Sequence, residues 1–181
     1  AEIRRQVGAD FSVGIKLNSA DFQRGGFTEE ESMATIQALV EAGIDMIEIS
    51  GGTYETPAMS GAFQKPQKAT TAAREAYFLD FAEKVRAAVQ VPLMVTGGFR
   101  TRSAMEQALK QGAADVIGIG RPMCYFPDAA KRLLGGMEML PRKENELALF
   151  PPSLQWLKRW KAMRAIDSFA CQYWFYSQLY A

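Results

Sequence analysis

The sequence predicts an α/β fold built on a parallel sheet, and two observations carry that reading. Four apolar, β-branched runs, "FSVGIKLN" (11–18), "IDMIEIS" (44–50), "VPLMVTG" (91–97) and "ADVIGIG" (114–120), lack strict polar alternation. That is the pattern of strands covered on both faces, as in parallel sheets. Helical periodicity separates the runs, so the order is β-α-β-α-β-α-β-α, with parallel strands and right-handed crossovers expected.

The elements follow in chain order. "AEIRRQVGAD" reads as the last turn of a helix that begins before the chain does, so the chain is expected to start in the middle of a fold. "TEEESMATIQALVEAG" has Thr28 and Glu31 at capping-box spacing and stops at Gly43. "TAAREAYFLDFAEKVRAAV" places Ala76, Leu79, Phe81 and Val85 near one face of a long amphipathic helix. "TRSAMEQALKQG" shows a second box, Ser103 with Glu106, and ends at Gly112. "PDAAKRLLGG" opens with a proline at a first turn. In the tail, "PRKENELALFPPS" reads as a loop. "LQWLKRWKAMRAIDSFACQYWFYSQLY" reads as one or two aromatic-rich helices docked on the outside of the body. The expected division is a barrel portion over 1–136 and a loop-and-helix extension over 137–181.

Composition narrows the function classes. The chain has 181 residues, enough for one ordinary core, and 48% hydrophobic with 23% charged residues is a globular balance. The formal charge of +1 gives no footprint for nucleic acid or an anionic membrane. No apolar run approaches transmembrane length. Cys124 and Cys171 are the two cysteines, far apart and without CxxC spacing, so neither a disulfide framework nor a zinc site is expected and a reducing cytoplasm is the default. There is no histidine, so imidazole cannot serve here as acid, base or metal ligand.

Each strand run ends in residues that a plain turn does not need: Lys16-Leu17-Asn18-Ser19, Ser50-Gly51-Gly52, Thr96-Gly97-Gly98 and Gly118-Ile119-Gly120-Arg121. Parallel α/β folds bind ligands at the carboxyl ends of their strands, and all four ends would share one rim. Gly97-Gly98 would let the backbone approach a ligand closely. Gly120 followed by Arg121 adds a guanidinium fork suited to phosphate. Taken singly, each motif also has a plain reading, a glycine that ends a strand or an arginine in a surface salt bridge. Together on adjacent strands they favour a phosphate site. Lys16 sits inside an apolar run and points either between helices or into the rim, which spacing leaves open. Glu48, between Ile47 and Ile49, reads as a hydrogen-bonded carboxylate near the interior. Glu29, Glu30 and Glu31 suit a helix dipole and need no further role.

"VGIKLNSADFQRGGFTEEES", "IDMIEISGGTYE", "PLMVTGGFRTRSAMEQAL" and "ADVIGIGRPM" together resemble the carboxyl-terminal half of the old yellow enzyme family of FMN-dependent NAD(P)H:flavin oxidoreductases. "SFACQYWFYSQLY" is similar to the terminal helices of bacterial members. The resemblance implies a (β/α)8 TIM-type barrel of which this chain holds strands five to eight. It implies FMN at the rim and NAD(P)H as reductant, with an activated alkene such as an enone as acceptor. It places Lys16 near the flavin N1 and O2 atoms, where many members carry arginine and where a cation stabilises the reduced ring. Gly97, Gly98, Gly120 and Arg121 would hold the FMN phosphate, and Tyr54 would approach the substrate. The family's histidine pair (or His-Asn) and its proton-donating tyrosine belong to the preceding half, so no catalytic residue and no metal ligand is expected here.

These 181 residues are therefore expected to be inactive alone, and to need the other barrel half or a homo-oligomeric partner to cover two sheet edges and an apolar face. One alternative is a non-catalytic half-barrel that binds FMN or phosphate and pairs with a second half. Another is a phosphate-binding barrel without flavin.

Overall fold

The computed structural model describes residues 2–21, 24–51 and 78–180. Four strands form the sheet among them: β1 (Gly14–Asn18), β2 (Met46–Ser50), β3 (Leu93–Thr96) and β4 (Val116–Gly118). All neighbours are parallel and the order is β1-β2-β3-β4. Sequential order separates this sheet from doubly wound folds, whose order reverses at a switch point. With right-handed crossovers it puts every connecting helix on one side, as in consecutive strands of a TIM-type barrel.

Burial bears this out. Ile47, Ile49, Leu93 and Val95 are buried in one core with Ile36, Phe81, Ala82, Val85, Met105 and Ala108. Ile15, Leu17, Ile117 and Ile119 pack against that core. The alternate residues form the opposite face, where register aligns Lys16, Glu48, Met94 and Val116 in one row. Lys16 and Val116 are exposed there and Glu48 and Met94 half-buried. The apolar runs predicted strands covered on both faces; among the described residues one face is covered.

The helices are α1 (Glu2–Val7), α2 (Glu29–Glu41), α3 (Leu79–Ala88), α4 (Arg102–Lys110), α5 (Arg121–Tyr125), α6 (Ala129–Leu134) and α7 (Lys161–Gln178). The capping box of α2 is complete: Thr28 Oγ1 accepts from Glu31 N at 3.2 Å, and Glu31 Oε2 accepts from Thr28 N at 2.9 Å. The box expected at Ser103 does not form. Thr101 is the cap of α4, accepting from Ala104 N at 3.3 Å, and Glu106 pairs with Arg102 at 2.7 Å instead. Pro127 lies before the cap Asp128 rather than in the first turn of α6. Ala76 lies outside the described residues.

The tail supplies two 3-10 turns, Lys143–Asn145 and Pro152–Arg159, before α7. It docks next to the β3 and β4 ends. Thr101 and Met139 form an antiparallel bridge, Leu140 N donates to Arg100 O at 2.8 Å, and Leu140 is fully buried. From α7, Trp174 and Phe175 set their rings 6.1 Å from that of Tyr125 on α5.

Candidate functional site

The carboxyl-end rim is built from the residues just past each strand. Register pairs Thr96 with Gly118, so Gly97-Gly98 and Ile119-Gly120 leave the sheet side by side. Gly97 and Gly98 have φ of 137° and 85°, which a side chain strongly disfavours. A Cβ on Gly97 would also lie 2.7 Å from Cε2 of Phe78. Gly120 is exposed, and nothing lies within 4 Å of where its Cβ would be, so its backbone is open to a ligand.

Below them, the open face of the sheet carries a row of small or polar groups: Asn18 beside Ser50, and Thr96 beside Gly118. Thr96 Oγ1 is buried without a hydrogen-bond partner among the described residues. It fills the space a Cβ on Gly118 would need, only 1.7 Å from that position, so Gly118 is glycine to admit the hydroxyl. A buried hydroxyl left without a partner costs about 1–3 kcal/mol. Thr96 is a rim residue that the motif reading passed over.

Arg121 begins α5 with its side chain about one-third exposed, and Nη1 stands 3.8 Å from Glu144 Oε1. The same oxygen accepts from Arg100 Nη2 at 2.6 Å, and Arg100 is almost fully buried. Burial pushes the Glu144 carboxyl up, but its own backbone N–H and the charges of Arg100 and Arg121 outweigh that and hold it below the usual range. The 3-10 turn at 143–145 thus ties the β3 loop to the start of α5. Arg100 and Glu144 were not legible as a pair, because 44 residues separate them.

Lys16 resolves toward the open face, where Nζ donates to Glu48 Oε1 at 2.6 Å. Glu48 is therefore a paired carboxylate, as its sequence context suggests. An open cleft of about 370 Å³ lies above, lined by Lys16, Leu17, Asn18, Asp21 and Phe27. Asp21 accepts from Phe27 N and Asn18 Nδ2, each at 3.0 Å, and these two bonds, the backbone one first, lower its pKa. Tyr54 lies outside the described residues. Among the described residues no group of three or more acidic, cysteine or histidine side chains could hold a metal, and no helix is long and apolar enough to cross a membrane.

Lys16 and Arg121 do not share one small anion. Lys16 belongs to β1 and Arg121 starts α5 just after β4, three strand positions away, about 14 Å at ordinary strand spacing. The rim therefore suits an elongated ligand with an anionic end at β3–β4 and an electron-rich end at β1.

The model of the NADH:flavin oxidoreductase / NADH oxidase family matches residues 1–139. The chain belongs to that family. It is 36% identical over 174 residues to the NADH-dependent flavin oxidoreductase iliE of Hypocrea jecorina (strain QM6a), covering 91% of this chain and 41% of the relative. It is 36% identical over 185 residues to the NADH-dependent flavin oxidoreductase iccE of Talaromyces variabilis, covering 98% of this chain and 43% of the relative. Among solved structures, 2-naphthoyl-CoA reductase in complex with 2-naphthoyl-CoA superposes with a TM-score of 0.62 at 26% identity, over 74% of this chain and 19% of that one. The chain thus spans about two fifths of the length of these curated relatives. Membership of the NADH:flavin oxidoreductase family agrees with the old yellow enzyme resemblance of the four motifs. The rim's own geometry fits the family's flavin too: an orphaned hydroxyl, no room for a Cβ at Gly97 or Gly118, an open backbone at Gly120, and a cation at each end.

Proposed function

We propose that this chain forms the FMN-holding part of an oxidoreductase of the old yellow enzyme type. The observation that carries the proposal is the polarity of the rim, with Gly97-Gly98 beside Gly120-Arg121 at one end and Lys16 about three strands away at the other. When bound, FMN supplies the relay of hydride from NAD(P)H to an activated alkene or related acceptor such as an enone. The fungal relatives' names support NADH as reductant.

In this reading the backbone of Gly97, Gly98 and Gly120 lets the phosphate approach, and Arg121 neutralises it with a fork held near its place by Glu144. Thr96 offers its hydroxyl to the ligand from the row beneath. Lys16 presents a positive charge to the pyrimidine side of the ring. No proton-transfer role is assigned to a residue of this chain, which has no histidine. The open face and the outer edges of β1 and β4 are covered by further β/α units, from the same polypeptide or from a partner.

Titration of the flavin-free protein with FMN tests the reading. Arg121→Ala is expected to weaken FMN binding roughly ten- to a hundredfold, from the loss of hydrogen bonds to a charged group, while unfolding stays at the parent's denaturant midpoint. Equal FMN affinity in variant and parent would sink the phosphate assignment. A second reading, a non-catalytic FMN- or phosphate-binding half-barrel, draws on the open face of the sheet. It requires a yellow protein that fails to reduce an enone with NADPH.

A further inference from the structure

Lys16 and Glu48 are register partners on adjacent parallel strands, so backbone geometry alone places both side chains on the open face. Glu48 Oε1 accepts from Lys16 Nζ at 2.6 Å. The carboxylate is the better-buried member, 20% exposed against 56% for the lysine side chain. The row continues with Met94 and Val116, so its other described members offer the ammonium no charge or hydrogen bond. Glu48 is its ion-pair partner among the described residues.

A lysine on a four-carbon stem loses considerable rotamer freedom when held in one place, and does so only when something holds it. We propose that Glu48 is the positioning residue for Lys16: it keeps the ammonium on the open face and offsets part of its charge, and thereby sets the midpoint potential of the bound flavin. This rests on the flavin reading of the rim. A full unit of positive charge beside the ring favours the negative charge that the ring gains on reduction; a lysine shared with a carboxylate favours it less. Glu48 therefore makes the bound flavin a stronger reductant than Lys16 alone would allow.

The test is a double-mutant cycle on the FMN-loaded protein, read as midpoint potential by dye equilibration rather than as turnover. Lys16→Met is expected to make the potential more negative. Glu48→Gln, which keeps the shape and removes the charge, is expected to make it less negative. The expected size is about tenfold in the preference for reduced over oxidised flavin, or about 30 mV for a two-electron couple. Glu48→Asp is expected to keep most of the parent value, and Glu48→Gln is expected to shift the potential less in the Lys16→Met background than in the parent. A shift from Glu48→Gln that persists unchanged without Lys16, or no shift at all, overturns the positioning role while the flavin reading stands. A potential indifferent to Lys16→Met overturns the flavin reading of that end, and this proposal with it.

Discussion

The two rims of the sheet are built on opposite principles. At the amino-end rim the same staple occurs twice. Asp45, at the start of β2, accepts from Val13 N at 2.6 Å and pairs with Arg4. Asp115, at the start of β4, accepts from Leu93 N at 2.8 Å and pairs with Arg86. The backbone repeats the pattern, with Asp45 N donating to Val13 O and Asp115 N to Leu93 O. Each arginine also reaches a carbonyl at the end of the next helix, Arg4 to Gly43 O at 3.2 Å and Arg86 to Gly112 O at 3.1 Å. The staple closes on itself and offers a ligand little. At the carboxyl-end rim Gly97 and Gly118 leave no room for a Cβ, Thr96 Oγ1 lacks a partner among the described residues, and cations stand at the two ends. Polar groups that are satisfied internally hold a fold together; polar groups left unmet around a cradle are the mark of a binding surface.

Substitutions at the two rims should therefore have separable consequences. The largest effect is expected from Gly118→Ala, whose Cβ would land 1.7 Å from Thr96 Oγ1. Overpacking of this kind costs about 1–3 kcal/mol, and flavin retention should be lost as the threonine is displaced. Parent-level flavin content in that variant would show the row is looser than its geometry indicates.

Asp115→Ala attacks the other rim. It removes the carboxylate that accepts from Leu93 N–H and pairs with Arg86, and should cost about 1–2 kcal/mol in denaturant unfolding, with FMN affinity unchanged. A matching drop in FMN affinity would break the distinction between the rims.

The staples also carry a pH signature. Asp115 is held below its ordinary pKa chiefly by the Leu93 N–H, and Asp45 by the Val13 N–H and then Arg4. A carboxyl depressed in the folded state contributes stability above its unfolded pKa and loses it as pH falls through the folded value. Stability should hold steady from neutrality down to about pH 4 as far as these two groups are concerned, and decline below that. Asp115→Ala should flatten part of the decline in acid unfolding curves; an acid limb identical to the parent's would remove Asp115 from the account.

The smallest effect is expected from Thr96→Val. Replacing an unmet buried hydroxyl with a methyl should leave stability unchanged or slightly raised, while FMN affinity falls several-fold through loss of one ordinary hydrogen bond, about 0.5–1.5 kcal/mol. Unchanged affinity would make Thr96 a packing residue alone.

Much of this was legible in the chain because it is local. Apolar runs place the strands to within a few residues, and Thr28 with Glu31 marks the start of α2 because both bonds of a capping box lie within one turn. Ser103 with Glu106 has the same spacing and misleads, since Thr101 two residues earlier takes the cap and Arg102 takes the carboxylate. Gly97, Gly98, Gly120 and Arg121 stand out because residues that follow adjacent strands must meet at one rim. The arginine's carboxylate, the lysine's partner and both aspartate staples were not legible, because their bonds join residues 22 to 44 apart or depend on strand register.

The amino-acid sequence by itself thus determined the βα order, the parallel sheet, the glycine-arginine rim and the family. Periodicity and short motifs encode these directly. Tertiary structure decided which way Lys16 faces, that Glu48 holds it, that Thr96 is left unmet above the core, and that the tail returns Glu144 to the two arginines. Each of those depends on register or docking across the sheet, where one residue of slip would turn a side chain to the other face.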